Sequence, residues 1–279
     1  MRVSACVIFM ILLLPACDTE AQGTISGYDF GKNGRHQVEL NRLLREISGL
    51  TVTPHGHLLA HDDEKGVIYR IDAMTGSILS RFKLGRTTIT EDFEDIASAG
   101  EMLYLVTSDG RLYVSREGND GGRVEYNVLN TPLTRSNNVE GLCYDPESGA
   151  LLMACKDSPG RGFSGKRTVY SYYPVPQRMD PSPRFVLDEK QLRPSIHGKQ
   201  FKPSAIARHP LRKTFFILAS DGCSLVEVDA NGNLRGIQRL DRKLHPQPEG
   251  LTFLANGDML ISDEGTKHGT LTRYFYNKR

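Results

Sequence analysis

One five-residue pattern recurs along the chain at nearly equal spacing. A polar residue is followed by an apolar residue or proline, then by Glu or Ser, then by a small or acidic residue, then by Leu or Ile. The copies are EISGL (46–50), DFEDI (92–96), NVEGL (138–142), KPSAI (202–206) and QPEGL (247–251). Their central residues, separated by 46, 46, 64 and 45 positions, are Ser48, Glu94, Glu140, Ser204 and Glu249. Such a period is typical of a four-stranded propeller blade.

Each copy of the pattern is followed by the same order of segments. A short apolar run ends in an acidic cluster, as in EMLYLVTSD and GDMLISDE, and an alternating run such as RLYVSR comes next. Most repeats add a fourth run, such as RVEYNVL. Alternation broken by Gly, Asn and Asp indicates antiparallel strands, and DANGN at 229–233 predicts a hairpin turn.

The last repeat has three strand-like runs and ends at Tyr276, whereas GRHQVELN (34–41) precedes the first repeat and has no blade of its own. The sequence therefore predicts an all-β, five-bladed β-propeller in which an N-terminal strand completes the last blade and removes the open sheet edges. A β-sandwich with accidental internal similarity is the alternative. The additional residues of the third repeat are rich in Pro and Gly, which predicts long loops.

The first residues, MRVSACVIFMILLLPAC, differ from the rest. The apolar run from Ala5 to Leu14 has the length of a signal-peptide core and is too short to span a bilayer. It ends in a stretch that resembles a bacterial lipobox, which predicts lipidation at Cys17; an ordinary cleaved signal is the alternative. We predict a lipoprotein signal peptide at 1–17, a tether at 18–24 and one propeller domain at 25–279. Asp18 then favours the periplasmic side of the inner membrane in a Gram-negative cell, with the lipid as the only membrane contact.

The net charge limits the classes of partner, and the cysteine count limits the possible disulfides. The net charge is +2 with both signs interspersed, which argues against a nucleic-acid partner, and no feature indicates an oligomer. Three cysteines follow the leader, so at least one is unpaired. Cys143 and Cys155 flank a predicted hairpin, where a disulfide and two buried thiols are equally consistent with the sequence; Cys223 stands apart.

The repeated acidic position predicts a site. The innermost strand of each blade lines the central channel, so Glu94, Glu140 and Glu249 are expected to converge at one mouth beside Ser48 and Ser204. Converging carboxylates require a proton or a cation between them. An all-oxygen set suits Ca²⁺, whereas zinc would be expected to recruit His or Cys. The alternative is that the glutamates accept hydrogen bonds from neighbouring blades and lock the ring.

A second acidic layer follows each central position by 14 to 17 residues. Its members are Asp63, Asp109, Asp157, Asp221 and Asp263. Such aspartates commonly stabilise turns. Asp263, in the segment SDEG, is the best candidate among them for a further metal ligand.

The ordered set Ser-Gly-Leu, Glu-Asp-Ile, Glu-Gly-Leu, Ser-Ala-Ile and Glu-Gly-Leu resembles the SdiA-regulated (YjiK-like) family over residues 46–276. This resemblance implies a five-bladed propeller, distantly similar to NHL-repeat propellers, with calcium at a shared site. By position it implies Glu94, Glu140 and Glu249 as ligands. Asp95 departs from the family pattern, in which Gly is commoner.

Three functions fit these features. The first is a membrane-tethered, calcium-binding propeller that acts as a binding or scaffold module for an unknown small molecule or protein at a channel mouth. The second is a calcium-dependent hydrolase of the lactonase, esterase or phytase-like kind, with His61 or His245 as general base, although each is expected more simply as a surface-loop histidine. The third is a metal-free propeller that binds a partner.

Overall fold

The computed structural model describes residues 24–198 and 200–278, so Cys17, the segment 1–17 and nearly all of 18–24 lie outside the described residues. Nearly all of the regular secondary structure is β-strand. In chain order the strands are β1 (Arg35–Glu39), β2 (Ile47–Val52), β3 (Leu58–Asp62), β4 (Val67–Ile71), β5 (Ile78–Leu84), β6 (Phe93–Ala99), β7 (Met102–Thr107), β8 (Leu112–Arg116), β9 (Arg123–Val124), β10 (Tyr126–Leu129), β11 (Val139–Asp145), β12 (Ala150–Cys155), β13 (Lys166–Tyr173), β14 (Arg178–Met179), β15 (Phe185–Asp188), β16 (Lys202–Arg208), β17 (Phe215–Asp221), β18 (Ser224–Val228), β19 (Leu234–Arg239), β20 (Pro248–Phe253), β21 (Met259–Asp263) and β22 (Thr270–Tyr274). The helical elements are α1 (Glu189–Leu192) and the single 3-10 turns Lys32–Gly34, Arg42–Leu44 and Arg193–Ser195.

The strands form five antiparallel sheets, which we number as blades in the order of their innermost strands. The first blade is β2-β3-β4-β5, the second is β6-β7-β8-β10, and the fourth is β16-β17-β18-β19. In the third blade, β11-β12-β13, both β14 and β15 pair with the outer strand β13. The fifth blade is β20-β21-β22-β1. The short β9 adds to the first blade in parallel with β5.

The N-terminal strand completes the last blade, as the sequence predicts. β1 pairs antiparallel with β22, from Arg35 opposite Tyr274 to Glu39 opposite Thr270. A further bridge joins Tyr28 to Tyr276. Each innermost strand contacts the innermost strand of the next blade, and β20 contacts β2, so the ring is closed. The predicted all-β, five-bladed fold is confirmed.

Five separate hydrophobic clusters hold the ring together, one at each junction between neighbouring blades. They arise because successive side chains of a strand point to opposite faces of its sheet. Along β21, for example, Met259 and Ile261 pack towards the fourth blade, whereas Leu260 packs towards the first. The apolar runs found in the sequence therefore place buried side chains on both faces of each blade.

The predicted turn at 229–233 joins β18 to β19. Asp229 Oδ1 accepts hydrogen bonds from the backbone N–H groups of Asn231 and Asn233, and Gly232 has a φ of +85°.

The thiols of Cys143, Cys155 and Cys223 are free and buried. In the β11–β12 pairing Cys143 lies opposite Leu152 and Cys155 opposite Val139, so the two cysteines do not face each other. Among residues 24–198 and 200–278 there is no helix with the length and apolar character needed to cross a membrane.

Candidate functional site: an acidic channel mouth with a lysine

A β-bulge recurs at the central position of the repeated pattern in every blade. The pairing between the first two strands shifts at this residue, for example between Phe93 and Asp95 and between Val139 and Gly141. The residues at the shifts are Ser48, Glu94, Glu140, Ser204 and Glu249. A bulge frees its residue from the ladder and redirects its side chain. The five bulges therefore present these side chains at one end of the channel.

The same pairing defines a second set of residues at this mouth. Val139 lies opposite Cys155 and Pro248 opposite Asp263, so the next residues along the second strands are Lys156 and Glu264. The equivalent positions in the five blades are Asp63, Ser108, Lys156, Ser220 and Glu264. Compared with the acidic layer expected from the sequence, this set is displaced by one residue in all but the first blade.

Lys156 lies against the glutamates. Its Nζ donates to Oε2 of Glu140 at 2.6 Å. Asn138, in the left-handed region that Asn tolerates, donates from Nδ2 to Oε1 of Glu140 at 2.9 Å and to Oδ2 of Asp157 at 3.1 Å. Both carboxylate oxygens of Glu140, which is 5% exposed, are therefore hydrogen-bonded. The cation that this mouth requires is supplied, at least in part, by the chain itself.

The carboxyl groups of the mouth carry more negative charge than one ammonium balances. Burial, with the charges of Glu140 and Asp92 next in effect, raises the pKa of Glu94 to about 9. Burial also raises the pKa of Glu140 to about 7, against the opposing effect of Lys156. For Glu249 burial raises the pKa to about 7; Lys156 opposes this and Glu264 adds to it.

Two further carboxyl groups, those of Glu264 and Asp63, also have raised pKa values. Burial, reinforced by the charges of Asp63 and Glu46, raises the pKa of Glu264 to about 7. Burial and the charge of Glu46 raise the pKa of Asp63 to about 6. Burial lowers the pKa of Lys156, but the charge and hydrogen bond of Glu140 outweigh this and raise it overall. Lys156 is therefore protonated at neutral pH. The carboxyl groups, whose pKa values are raised to between about 6 and about 9, are only partly ionised there.

The two serines at the bulges connect neighbouring blades. Ser48 Oγ donates to the carbonyl oxygen of Glu94 at 2.7 Å, and Ser204 Oγ donates to the carbonyl oxygen of Pro248 at 2.8 Å. Each bond joins the innermost strand of one blade to that of the next. The serines therefore perform the locking role that the sequence left open for the glutamates.

Asp95 contributes a third connection of this kind. Its Oδ2 accepts from the backbone N–H of Leu142 at 2.7 Å, and its Oδ1 accepts from the N–H of Ile96 at 2.8 Å. Asp95 is 1% exposed, and burial raises its pKa well above the ordinary value. It thus fastens β6 to β11, which is a structural use for the residue that departs from the family pattern.

The side chain of Asp263 contacts His245 instead of the glutamates of the mouth. Its Oδ2 lies 2.7 Å from Nδ1 of His245, whose Nε2 lies 2.8 Å from the hydroxyl of Tyr274, and all three residues are buried. His61 is also fully buried, with Nδ1 2.8 Å from the carbonyl oxygen of Asp62. The expectation that both histidines lie in surface loops is wrong, because each is enclosed in the body of the propeller.

The donor chemistry of the mouth suits a hard cation, because its ligands are carboxylate oxygens. In the placement seen here, however, no group of three or more His, Cys, Asp or Glu side chains in the described part of the chain is arranged to hold a metal ion. Lys156 lies where such an ion would be attracted. A metal would therefore have to compete with its ammonium.

These features define a class of protein: a closed five-bladed β-propeller with an acidic channel mouth. The chain belongs to the SdiA-regulated family, whose model matches residues 26–267. No curated protein gives a significant match.

Solved structures show the same fold. Glutaminyl cyclase of Myxococcus xanthus is similar with a TM-score of 0.58 at 14% identity, over 88% of this chain and 97% of that one. A luciferin-regenerating enzyme gives a TM-score of 0.55 at 9% identity, over 88% and 96%. At these identities the likeness concerns the fold alone.

Proposed function

We propose that this protein is an exported binding module whose acidic channel mouth receives a cation, and that the cation is Ca²⁺. One observation carries the proposal: the charge of the Lys156 ammonium acts on four carboxyl groups whose pKa values burial raises. They are Glu94, Glu140, Glu249 and Glu264. Confined carboxylates are stabilised by a nearby cation, and oxygen ligands favour calcium over softer metals. Calcium binding requires the ammonium of Lys156 to move aside.

A cavity beside the mouth offers room for a ligand. It has a volume of about 690 Å³ and is bordered by Glu46, Gln247 and Glu264 together with the apolar Leu244 and Pro246. Gln247 Nε2 donates to Glu264 Oε2 at its edge. A small molecule or a protein side chain in this cavity would lie next to Glu264, where it could contact a cation bound at the mouth.

The binding function is favoured over the hydrolase because neither histidine offered as a general base is accessible. His61 and His245 are each 0% exposed. A general base must reach the proton that it removes, directly or through one water. An activity that depended on either histidine would need the blade to open.

Isothermal titration of Ca²⁺ into the chelator-treated full chain tests the proposal. We expect saturable binding that is weakened by Glu140→Gln/Glu249→Gln and strengthened by Lys156→Met, because that variant removes the competing ammonium. Lys190→Met is the matched control, since Lys190 is exposed and distant in sequence from the mouth. Absence of binding in both the wild type and Lys156→Met would overturn the calcium proposal.

Attachment to the membrane through Cys17 is part of the same proposal and rests on the leader sequence. Metabolic labelling with an alkyne fatty acid should mark the wild-type protein and not Cys17→Ser. Labelling of both, or of neither, would contradict lipidation at this residue. Fractionation of the labelled cells would then test the predicted position at the inner membrane.

A further inference from the structure

A second cavity, of about 500 Å³, is a cleft between the first blade and the segment 42–46, which joins β1 to β2. Glu46 borders both this cavity and the one next to Glu264. Val67 and Tyr69, which are buried in the hydrophobic cluster between the fifth and first blades, form part of its wall. The cavity is therefore a feature of the ring itself and is distinct from the acidic mouth.

The strand pairing places cations over this apolar wall. Val67 lies opposite Lys83 and Tyr69 opposite Arg81 in the β4–β5 ladder, so all four side chains share one face of the first blade. In the fourth blade, the pair that corresponds to Tyr69 and Arg81 is Val226 and Ile237, and both are buried between blades. The first blade thus has a guanidinium where the fourth has a core isoleucine.

The basic residues of this cleft exceed its acidic ones. The basic residues that border it are Arg42, Arg45, Lys65, Arg81 and Lys83, and the acidic ones are Glu46, Asp62 and Glu64. Glu46 is paired with Arg45 at 2.8 Å and Glu64 with Lys65 at 3.6 Å. Asp62 Oδ1 instead accepts the backbone N–H groups of Glu64 and Lys65, at 3.1 and 2.8 Å.

Three cations remain without a carboxylate partner, although Arg81 hydrogen-bonds the Tyr69 hydroxyl. Within the residues that the structure describes, Arg42, Arg81 and Lys83 form no ion pair. Two guanidinium groups and an ammonium beside an apolar wall are chemically suited to an oxyanion, because the guanidinium fork matches carboxylate and phosphate geometry.

We propose that this cleft binds a small organic oxyanion, with its phosphate or carboxylate group against Arg81 and Lys83 and its apolar body against Val67 and Tyr69. The volume is sufficient for a molecule of that kind, since ligand pockets commonly measure about 300–1,000 Å³. The acidic mouth and the basic cleft then form two neighbouring sites of opposite charge on one face of the propeller.

Titration of the full chain with phenyl phosphate and with phenylacetate, in calcium-free buffer, tests this site. We expect saturable binding of at least one probe, and no saturable binding of phenol, which lacks the charge. In Arg81→Met/Lys83→Met the binding should weaken roughly tenfold or more. Arg86→Met is the matched control, because the Arg86 side chain is 95% exposed and pairs only weakly with Glu125 at 4.0 Å.

Two further variants make the result decisive. Lys83→Met alone should weaken binding less than the double variant and guards against a folding defect, which circular dichroism would reveal. Glu140→Gln should bind the probes as the wild type does, because it alters only the acidic mouth, so this proposal can fail while the calcium proposal stands. Absence of binding to both probes, or equal binding by the wild type and the folded double variant, would overturn the oxyanion site.

Discussion

The ammonium of Lys156 lies 2.6 Å from Oε2 of Glu140 at the channel mouth. The two residues come from neighbouring strands of one blade, yet the charge of Lys156 also affects the pKa values of Glu94 and Glu249, which belong to other blades. One side chain of the third blade therefore balances carboxylates contributed by three blades.

Replacement of Lys156 should destabilise the propeller in a pH-dependent way. In Lys156→Met without divalent cations, we expect a loss of about 2–4 kcal/mol at pH 8, because a largely buried carboxylate loses its partner. The loss should be smaller at pH 5, where the glutamates are protonated. Urea unfolding at both pH values measures this, with Lys190→Met as the control. An equal loss at the two pH values would show that Lys156 contributes through packing instead of charge.

The wild-type protein should lose stability as the pH rises above about 4.5. The pKa values of Glu94, Glu140 and Glu249 are raised from an ordinary 4.5 to about 9, 7 and 7. The folded state therefore keeps protons that the unfolded state has lost. This stabilising contribution is fully present below pH 4.5 and is lost as the pH rises through 7 towards 9, at up to about 1.4 kcal/mol per pH unit for each group.

The variant Glu94→Gln isolates the largest of these contributions. Because glutamine carries no charge at any pH, the decline in unfolding free energy between pH 5 and pH 9 should become shallower than in the wild type. Guanidinium chloride would screen the charges, so urea is the suitable denaturant. A decline as steep as that of the wild type would show that Glu94 does not titrate in this range.

Removal of the Asp95 carboxyl group should loosen the junction between the second and third blades. Asp95→Ala leaves the buried N–H groups of Ile96 and Leu142 without their acceptor, which should cost about 2–4 kcal/mol. Asp95→Asn retains one acceptor oxygen and should cost less. Thermal and urea unfolding of both, beside Glu125→Ala at an exposed site, would measure the difference. A variant with Ala as stable as the wild type would contradict the connecting role.

Loss of the Ser204 hydroxyl should weaken the junction between the fourth and fifth blades. Ser204→Ala leaves the carbonyl oxygen of Pro248 unpaired in a buried position and should cost about 1–2 kcal/mol. Ser48→Ala, at the corresponding position of the first blade, should behave alike. Ser182→Ala in an exposed loop serves as the control for both. If all three variants have the same free energy of unfolding as the wild type, the hydroxyls of Ser48 and Ser204 do not stabilise the ring.

The architecture could be predicted from the sequence because every blade repeats both the five-residue pattern and the order of strands after it. The closing strand was predictable for the same reason, since the last repeat lacks one strand and the first is preceded by one. The bulges could not be predicted, because the shift at Glu94 or Glu140 depends on pairing with a second strand and leaves no mark in local composition.

The role of Lys156 was missed because the sequence was aligned on its acidic residues. Aligned instead on the pairing of the first two strands, Lys156 occupies the position of Asp63 and Glu264 and is the one cation in that column. The same displacement explains why Asp263 was selected although Glu264 borders the mouth. The enclosure of His245 depends on contacts with Asp263 and Tyr274, which local sequence does not reveal.

The pairing of β1 with β22 determines when the ring can close during synthesis of the chain. The first of these strands leaves the ribosome before β2 to β21 and its partner after them, so β1 waits while four blades are synthesised. Contacts of such sequence separation are costly to form in loop entropy. The ring can therefore close only after the strands of all five blades have been synthesised, and until then β1 presents an unpaired edge to other chains.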